Sequence, residues 1–230
     1  MQSVGHRGDP RHAPENTLAS LEMAWRHGRR AVEFDVRATR DGVPIMFHDA
    51  GFSRVTDGEG VVARRLWRDC QRLDAGGWFH ARFAGERIAS VGQVLMAFRR
   101  RPMTLFLELK VAGAERRLHR LIAEAGMAPR CRIASSHLAA LAPFRTLSPR
   151  LPLYRVTGFT QPMTPRIIHH ARRMGLRGVL AFKRWVTPGL VRRVRAEGLE
   201  LYVWTVRTAA EERRYRAMGV TGVMTERCPR

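Results

Sequence analysis

Two pairs of charged side chains stand in segments that are otherwise apolar. Glu33 and Asp35 alternate with valine and phenylalanine in the run AVEFDV. Glu108 and Lys110 alternate with leucine in the run LELK. Because successive side chains of a β-strand point to opposite faces, each pair shares one face of its predicted strand. Two carboxylates removed from water repel each other, a bound cation relieves that repulsion, and oxygen ligands suit Mg²⁺ or Ca²⁺.

Two histidines and an arginine stand at the ends of other predicted strands. His6 and Arg7 stand in GHRG, and His48 stands in MFHD. Two imidazoles that titrate near neutral pH can act as acid and base, and Arg7 and Lys110 can neutralise a phosphate. Simpler interpretations stay open at this stage, namely a surface turn at His6 and Arg7, a core position for His48, and an internal salt bridge between Glu108 and Lys110.

Trp204, in the run YVWT, is an aromatic residue that can either line a pocket or belong to the core. The sequence contains no nucleophile elbow, no glycine-rich phosphate loop and no HExxH motif. The polar residues at the strand ends are therefore the main catalytic candidates. Their combination of carboxylates, imidazoles and cations suits metal-assisted attack on a phosphate ester.

Short apolar runs alternate with amphipathic stretches along the chain, which predicts alternating strands and helices. The predicted strands are residues 3–6, 31–37, 43–48, 104–110, 131–135, 153–156, 178–182, 200–206 and 222–225. The predicted helices are residues 17–27, 91–100, 114–125, 138–147, 165–174, 188–196 and 209–218. If the strand at 43–48 is a hairpin return, eight βα-type strands remain, and they favour a TIM (β/α)8 barrel over a doubly wound sheet. The catalytic candidates would then meet at the C-terminal ends of the barrel strands.

The chain is expected to form one domain over residues 1–230, with a small insertion at about 50–89, after the hairpin of the second strand. The insertion is rich in glycine, arginine and aromatic residues. Its aromatic side chains either form a small core of their own or bind an acyl chain or membrane surface; they are Trp67, Trp78, Phe79 and Phe83. Because the sequence stops soon after the last predicted strand, the eighth helix is expected to be short or missing.

The charge balance is strongly basic, with 41 lysines and arginines, 20 acidic residues and a net charge of +21. Such a charge suggests nucleic-acid or membrane-surface binding. However, the arginine runs fall on predicted outer helices, where the side chains are expected to lie on the solvent-exposed faces. The charge is therefore interpreted as background that favours anionic substrates and weak association with anionic lipid surfaces, without a specific nucleic-acid partner.

The cysteines and the N-terminal sequence indicate the cellular compartment in which the protein is expected. Cys70, Cys131 and Cys228 are widely spaced and form no CxxC motif, so a disulfide framework and a zinc–thiolate site are not expected. No apolar segment is long enough to cross a membrane, and the N-terminus lacks the apolar core of a secretion signal. These features favour a cytoplasmic location.

Seven short motifs occur in a characteristic order along the sequence. They are GHRG (5–8), APENT (13–17), EFDV (33–36), DGVPIMFHD (41–49), LELK (107–110), VWTV (203–206) and GVMTERCP (222–229). The ordered set resembles the glycerophosphodiester phosphodiesterases. That resemblance implies a TIM barrel which hydrolyses glycerophosphodiesters to glycerol 3-phosphate and an alcohol, with a divalent cation as cofactor.

The resemblance also implies eight site residues in three roles. They are the acid and base His6 and His48, the phosphate- and pocket-binding Arg7, Lys110 and Trp204, and the metal ligands Glu33, Asp35 and Glu108. Glu15 and Asn16 match the family's ENT motif and are expected to shape the loop and the start of the first helix. The chain departs from the family pattern at Arg207, where Asn is frequent, and at Glu226, where Asp is usual. Little family signal is present over 112–183.

Two other functions are considered from the sequence. The related lysophospholipase D and sphingomyelinase D enzymes share similar histidine and carboxylate motifs, so a lipid substrate is the main alternative. A non-catalytic basic protein that binds nucleic acid or membranes ranks lower, because a polyanion-binding face should avoid carboxylates at Glu33, Asp35 and Glu108. The leaving group, the division of roles between the histidines and the choice between direct water attack and a cyclic phosphate stay open.

Overall fold

A computed structural model describes residues 1–227, so Cys228 and the last residues of the GVMTERCP motif lie outside the described residues. The strands within this part are β1 (Gln2–Gly5), β2 (Ala31–Ala38), β3 (Pro44–Met46), β4 (Thr104–Leu109), β5 (Cys131–Ser135), β6 (Leu153–Val156), β7 (Gly178–Phe182), β8 (Glu200–Val206) and β9 (Gly222–Thr225). The α-helices are α1 (Leu18–Arg26), α2 (Trp67–Cys70), α3 (Val91–Phe98), α4 (Glu115–Glu124), α5 (Leu138–Leu147), α6 (Pro165–Arg173), α7 (Pro188–Ala196) and α8 (Ala209–Met218). Most predicted bounds agree within two residues.

Eight of the strands close into a parallel barrel. β1 pairs with β9 along its whole length and with β2 through Gly5 and Val32. The remaining parallel neighbours follow the order β9, β8, β7, β6, β5, β4 and β2. β3 lies outside this ring and pairs antiparallel with the end of β2. The predicted TIM barrel, with a hairpin return after its second strand, is therefore confirmed.

Strand alternation divides the apolar side chains into two layers. One large cluster fills the space between the barrel and the helices, and it includes Val32, Phe34 and Leu107. A smaller cluster fills the barrel interior, where the rings of Phe106, Tyr154 and Tyr202 pack with centroids 5.1–5.7 Å apart. We call these three rings the aromatic floor. It separates the C-terminal mouth of the barrel from the N-terminal mouth.

The insertion packs its own small core against β3. The buried cluster comprises Val43, Ile45, Phe47, Phe52, Val55, Val62, Cys70, Ala75 and Ile88, with Trp67 and Leu73 packed against it. Trp67 therefore belongs to the core of the insertion, which is the simpler of the two interpretations. Trp78 is 45% exposed and contacts Phe79 edge to face.

The arginine runs lie on the solvated outer faces of the helices, as the sequence predicted. Arg192, Arg193 and Arg195 are exposed on α7, while Val191 and Val194 of the same helix are buried. Burial of the apolar stripe against the barrel thus leaves the guanidinium groups in water. None of the helices in residues 1–227 is both long and apolar enough to cross a membrane.

Candidate active site

The C-terminal mouth of the barrel brings together all eight residues predicted for the site. Six of them line a cavity of about 400 Å³, namely His6, Arg7, His48, Glu108, Lys110 and Trp204. Glu33 and Asp35 lie on the same interior face of β2, each 1% exposed. Parallel strands bring these side chains together because their carboxyl ends share one edge of the barrel.

Three carboxylates form a tight acidic cluster. Glu33, Asp35 and Glu108 each offer an oxygen, and these oxygens lie within 4.8 Å of one another. Burial, followed by the charges of Asp35 and Glu108, raises the pKa of Glu33 well above its usual range. Glu33 Oε1 is buried and accepts no hydrogen bond from any described residue. A buried oxygen of this kind in a cluster of carboxylates fits the donor set of a divalent cation.

Lys110 bridges two members of the cluster. Its Nζ lies 2.9 Å from Asp35 Oδ1 and 2.6 Å from Glu108 Oε1. Burial alone would raise the pKa of Asp35, but the charges of Lys110 and Arg7 outweigh it and lower that pKa. The internal salt bridge considered from the sequence is therefore present. It leaves the carboxylates further lone pairs, because each carries about four acceptor positions.

Arg7 connects the first strand to the same carboxylates. Its backbone N–H donates to Glu33 Oε2 at 3.0 Å. Its guanidinium lies 3.3 Å from Asp35 Oδ2 and 2.7 Å from Glu15 Oε1. Burial opposes the charged guanidinium, but the charges of these carboxylates outweigh burial and raise the pKa of Arg7. Arg7 thus stays cationic at the edge of the cavity.

Asn16 contributes more to the site than its predicted role in the loop. Its Nδ2 donates to Asp35 Oδ2 at 2.8 Å, and its Oδ1 accepts from the backbone N–H of Asp35 at 3.0 Å. Thr17, rather than Asn16, caps α1, since its hydroxyl accepts from Ser20 N. The side chain of Asn16 therefore holds Asp35 in place by hydrogen bonds to both its carboxylate and its backbone N–H.

The turn that presents His6 and Arg7 needs glycine at position 8. Gly8 has φ +87°, and a Cβ built there would lie 2.4 Å from Ser20 Oγ and 2.8 Å from Ser20 C. Gly28 also has a positive φ, of +79°, but its Cβ would meet nothing within 4 Å. The two glycines share a backbone conformation and differ in the space around them.

We expect Gly8→Ala to destabilise the protein more than Gly28→Ala. The left-handed conformation costs an alanine about 1–2 kcal/mol at either position. The clash with α1 adds about 1–3 kcal/mol at position 8 alone. Urea unfolding of the two variants measures the difference in the free energy of unfolding. Equal losses would show that α1 does not pack as tightly on the turn as the structure indicates.

Each predicted catalytic histidine has a carboxylate beside its Nδ1 atom. His48 Nδ1 lies 2.5 Å from Asp49 Oδ1, and Asp49 also accepts from Arg54 Nε at 2.5 Å. His6 Nδ1 lies 3.6 Å from Glu226 Oε1, which is within ion-pair distance. The carboxylate on Nδ1 orients the His48 ring and leaves its Nε2 available for proton transfer, whereas His6 Nδ1 has no hydrogen-bond partner among the described residues.

Glu226 is itself held by Arg207. The guanidinium of Arg207 donates to both oxygens of Glu226, at 2.8 and 3.0 Å. His6 and this fork lower the pKa of Glu226 to about 2, so it stays ionised. From the sequence, Arg207 and Glu226 were identified only as departures from the family pattern. Their pairing shows that the two departures are complementary.

The aromatic rim of the cavity combines a predicted and an unpredicted residue. Trp204 Nε1 is buried and, among the residues described, has no hydrogen-bond acceptor. Phe159, in the loop after β6, is 64% exposed, and its ring lies 5.2 Å from that of Trp204 and 4.5 Å from that of Phe182. Phe159 was not among the residues predicted from the sequence, because it stands in a region without family motifs.

The fold and the site define a class: TIM barrels whose C-terminal mouth holds a carboxylate cluster beside cations and imidazoles. The sequence profile of the glycerophosphoryl diester phosphodiesterase family matches residues 6–229. The chain therefore belongs to this family. It is 31% identical to a glycerophosphodiester phosphodiesterase of Caldanaerobacter subterraneus subsp. tengcongensis, over 97% of this chain and 93% of the relative.

Solved structures of the family are similar to this chain over nearly its whole length. A phosphodiesterase of Oleispira antarctica, solved in complex with the product sn-glycerol-3-phosphate, has a TM-score of 0.87 and 25% identity, covering 98% of this chain and 93% of that one. A glycerophosphodiester phosphodiesterase of Agrobacterium tumefaciens has a TM-score of 0.84 and 26% identity, covering 99% of this chain and 96% of that one.

Proposed function

We propose that this chain hydrolyses glycerophosphodiesters to glycerol 3-phosphate and an alcohol, acting as one domain with a bound divalent cation. The observation that supports it best is the buried, unpaired Oε1 of Glu33 within a cluster of three carboxylates. Family membership and the product bound in the Oleispira antarctica relative support the choice of reaction. Glu33, Asp35 and Glu108 would hold the cation, which is Mg²⁺ or Ca²⁺ on the chemistry of oxygen ligands.

The cationic side chains would bind and orient the phosphate. Arg7 and Lys110 line the cavity next to Glu108, so an anionic phosphate placed there would meet two positive charges. These charges stabilise a transition state in which negative charge accumulates on the phosphoryl oxygens. A divalent cation, when bound, would withdraw electron density from the phosphate and offset the charge that develops there.

The two histidines would move the protons. One imidazole would take the proton of the attacking oxygen, which comes from water or from a substrate hydroxyl. The other imidazole would protonate the oxygen of the leaving alcohol. Asp49 and Glu226 would help to orient the rings of His48 and His6, because a carboxylate lies near Nδ1 in each case.

A substrate panel tests the proposed function. Glycerophosphocholine, glycerophosphoethanolamine and glycerophosphoglycerol are incubated with the protein in Mg²⁺, in Ca²⁺ and in EDTA, and glycerol 3-phosphate is assayed enzymatically. We expect product from at least one diester with a divalent cation and none in EDTA. Equal release in EDTA would contradict the cation requirement.

A lipid substrate is the second candidate, supported by the exposed apolar rim. Phe159 is 64% exposed beside Trp204, so an acyl chain could contact it at the cavity entrance. The basic surface would in that case add a weak, salt-dependent association with anionic vesicles. Comparison of kcat/KM for lysophosphatidylcholine and glycerophosphocholine decides between the candidates. A higher value for the lysolipid would favour the lipid substrate.

We expect Glu226 to act as a positioning residue for His6. Glu226→Gln removes the charge near Nδ1, so kcat should fall about tenfold, the equivalent of about 1.4 kcal/mol, with KM changed less than twofold. Glu226→Asp keeps the charge and should restore most of kcat. Steady-state kinetics of the two variants provide the measurement. A kcat for Glu226→Asp no higher than that for Glu226→Gln would contradict the positioning role. A change in KM as large as the change in kcat would contradict it as well.

A further inference from the structure

The N-terminal mouth of the barrel holds a second and larger cavity. Its volume is about 670 Å³, compared with about 400 Å³ for the cavity at the C-terminal mouth. Both values lie in the range of small-molecule sites in proteins. Tyr154 and Tyr202 line the second cavity and belong to the aromatic floor. A ligand bound there would therefore be separated from the catalytic residues by a layer of packed rings.

Arginines from four different elements surround this cavity. They are Arg132 on β5, Arg150 before β6, Arg172 on α6 and Arg177 before β7. Glu200 is the one acidic side chain in the lining that the structure describes. It already accepts from Arg177 Nε at 2.7 Å and from the hydroxyl of Tyr154 at 2.6 Å. The other three arginines thus gather positive charge around a concave surface, where low-dielectric walls focus the field.

Arg132 distinguishes this cavity from the basic outer surface. It alternates with Cys131 and Ile133 of the outer layer and shares the interior face of β5 with Ala134. Its Nη1 donates only to backbone carbonyls, to Pro129 at 3.1 Å and Cys131 at 2.9 Å. Over residues 1–227, Arg132 has no carboxylate within ion-pair distance. A basic composition explains arginines on solvated helix faces, but not a half-buried guanidinium that faces the barrel interior.

We propose that the N-terminal mouth is a second anion site, which binds a small molecule with two or more linked phosphate groups. Guanidinium groups suit this chemistry because each one offers a planar fork of N–H donors to phosphate oxygens. A volume of about 670 Å³ exceeds what a single phosphate fills, and cations on separate elements can contact separate phosphates. Inorganic polyphosphate and a nucleoside triphosphate share this chemistry.

Binding of two probes to matched charge variants tests the site. The probes are inorganic tripolyphosphate and ATP, titrated by calorimetry at 150 mM salt in EDTA, which prevents binding through a divalent cation. The site variant combines Arg132→Gln, Arg150→Gln and Arg172→Gln. The control variant combines Arg116→Gln, Arg120→Gln and Arg193→Gln, which are exposed on α4 and α7 and give the same change in net charge.

We expect saturable binding by the unaltered protein, at least tenfold weaker binding by the site variant and a change of less than threefold in the control. Similar affinities for the two probes would assign recognition to the phosphate chain. Tighter binding of ATP than of tripolyphosphate would indicate additional contacts with the nucleoside and would also support this site. Equal losses in the two variants, or no saturable binding, would overturn the proposal, since the effect would then reflect overall charge or be absent.

Two further measurements separate the site from folding and from catalysis. The site variant should keep the melting temperature and the hydrolytic activity of the unaltered protein, because the substituted residues lie on the N-terminal side of the aromatic floor, away from the catalytic cavity. If it does not fold, Arg150→Gln and Arg172→Gln, both at exposed positions, are tested singly and should each weaken binding about threefold or more. His48→Ala should bind tripolyphosphate normally. Loss of binding in that variant would place the anion in the catalytic cavity and overturn the proposal.

Discussion

Glu33→Gln is expected to lower kcat/KM for glycerophosphocholine by about 10³-fold, the equivalent of about 4 kcal/mol of transition-state stabilisation. The substitution keeps the shape of the side chain and removes one of three clustered negative charges. The acidic cluster should then hold a divalent cation much more weakly. Steady-state kinetics at the cation concentration that saturates the unaltered protein measure the loss.

Thermal melting provides a second readout for Glu33→Gln. In EDTA the variant should melt at a higher temperature than the unaltered protein, because burial and the charges of Asp35 and Glu108 disfavour the Glu33 carboxylate. A cation at 100 times its Kd adds about 2.7 kcal/mol to the stability of the unaltered protein, and it should add little to the variant. Glu124→Gln, at an exposed position of α4, is the control. An undiminished cation-induced shift in Glu33→Gln would refute the assignment of this ligand.

His48→Ala is expected to reduce kcat by about 10²–10⁴-fold, the usual contribution of a general acid or base. The variant should keep the cation-induced shift in melting temperature, since His48 is not among the carboxylate ligands. This combination separates proton transfer from cation binding. His169→Ala is the control. It changes an exposed histidine of α6 that is not among the site residues, and it should leave kcat unaltered. A kcat within threefold of the unaltered protein in His48→Ala would remove His48 from the catalytic set.

Strand alternation made much of the fold and the site predictable. Charged residues at every second position of AVEFDV and LELK indicated side chains that share one face, and the structure places Glu33, Asp35 and Glu108 on the interior of the barrel. Eight βα-type units indicated the closed sheet. The barrel helix after the last strand, β9, was expected to be short or missing, and the residues that would form it lie largely outside the described part of the chain. The roles of the individual site residues stay predictions.

Contacts between distant segments could not be predicted from one sequence. Asn16 reaches Asp35 across 19 positions, and Arg207 reaches Glu226 across 19 positions, and no local pattern encodes either pair. Phe159 stands in a loop without a motif. The sequence alone does not distinguish Arg132 from the other arginines, because only the closed barrel shows that its side chain faces the interior. Periodicity identifies the face of an element, whereas closure of the barrel decides which faces meet.

One measurement tests the central claim most directly, namely ³¹P NMR of glycerophosphocholine incubated with the protein and Mg²⁺ or Ca²⁺. The proposed function predicts that the diester resonance is replaced by that of glycerol 3-phosphate, that EDTA prevents the change, and that Glu33→Gln slows it about 10³-fold. Appearance of phosphocholine instead would show cleavage of the other ester bond. That result, or an unchanged diester with either cation, would contradict the proposed reaction.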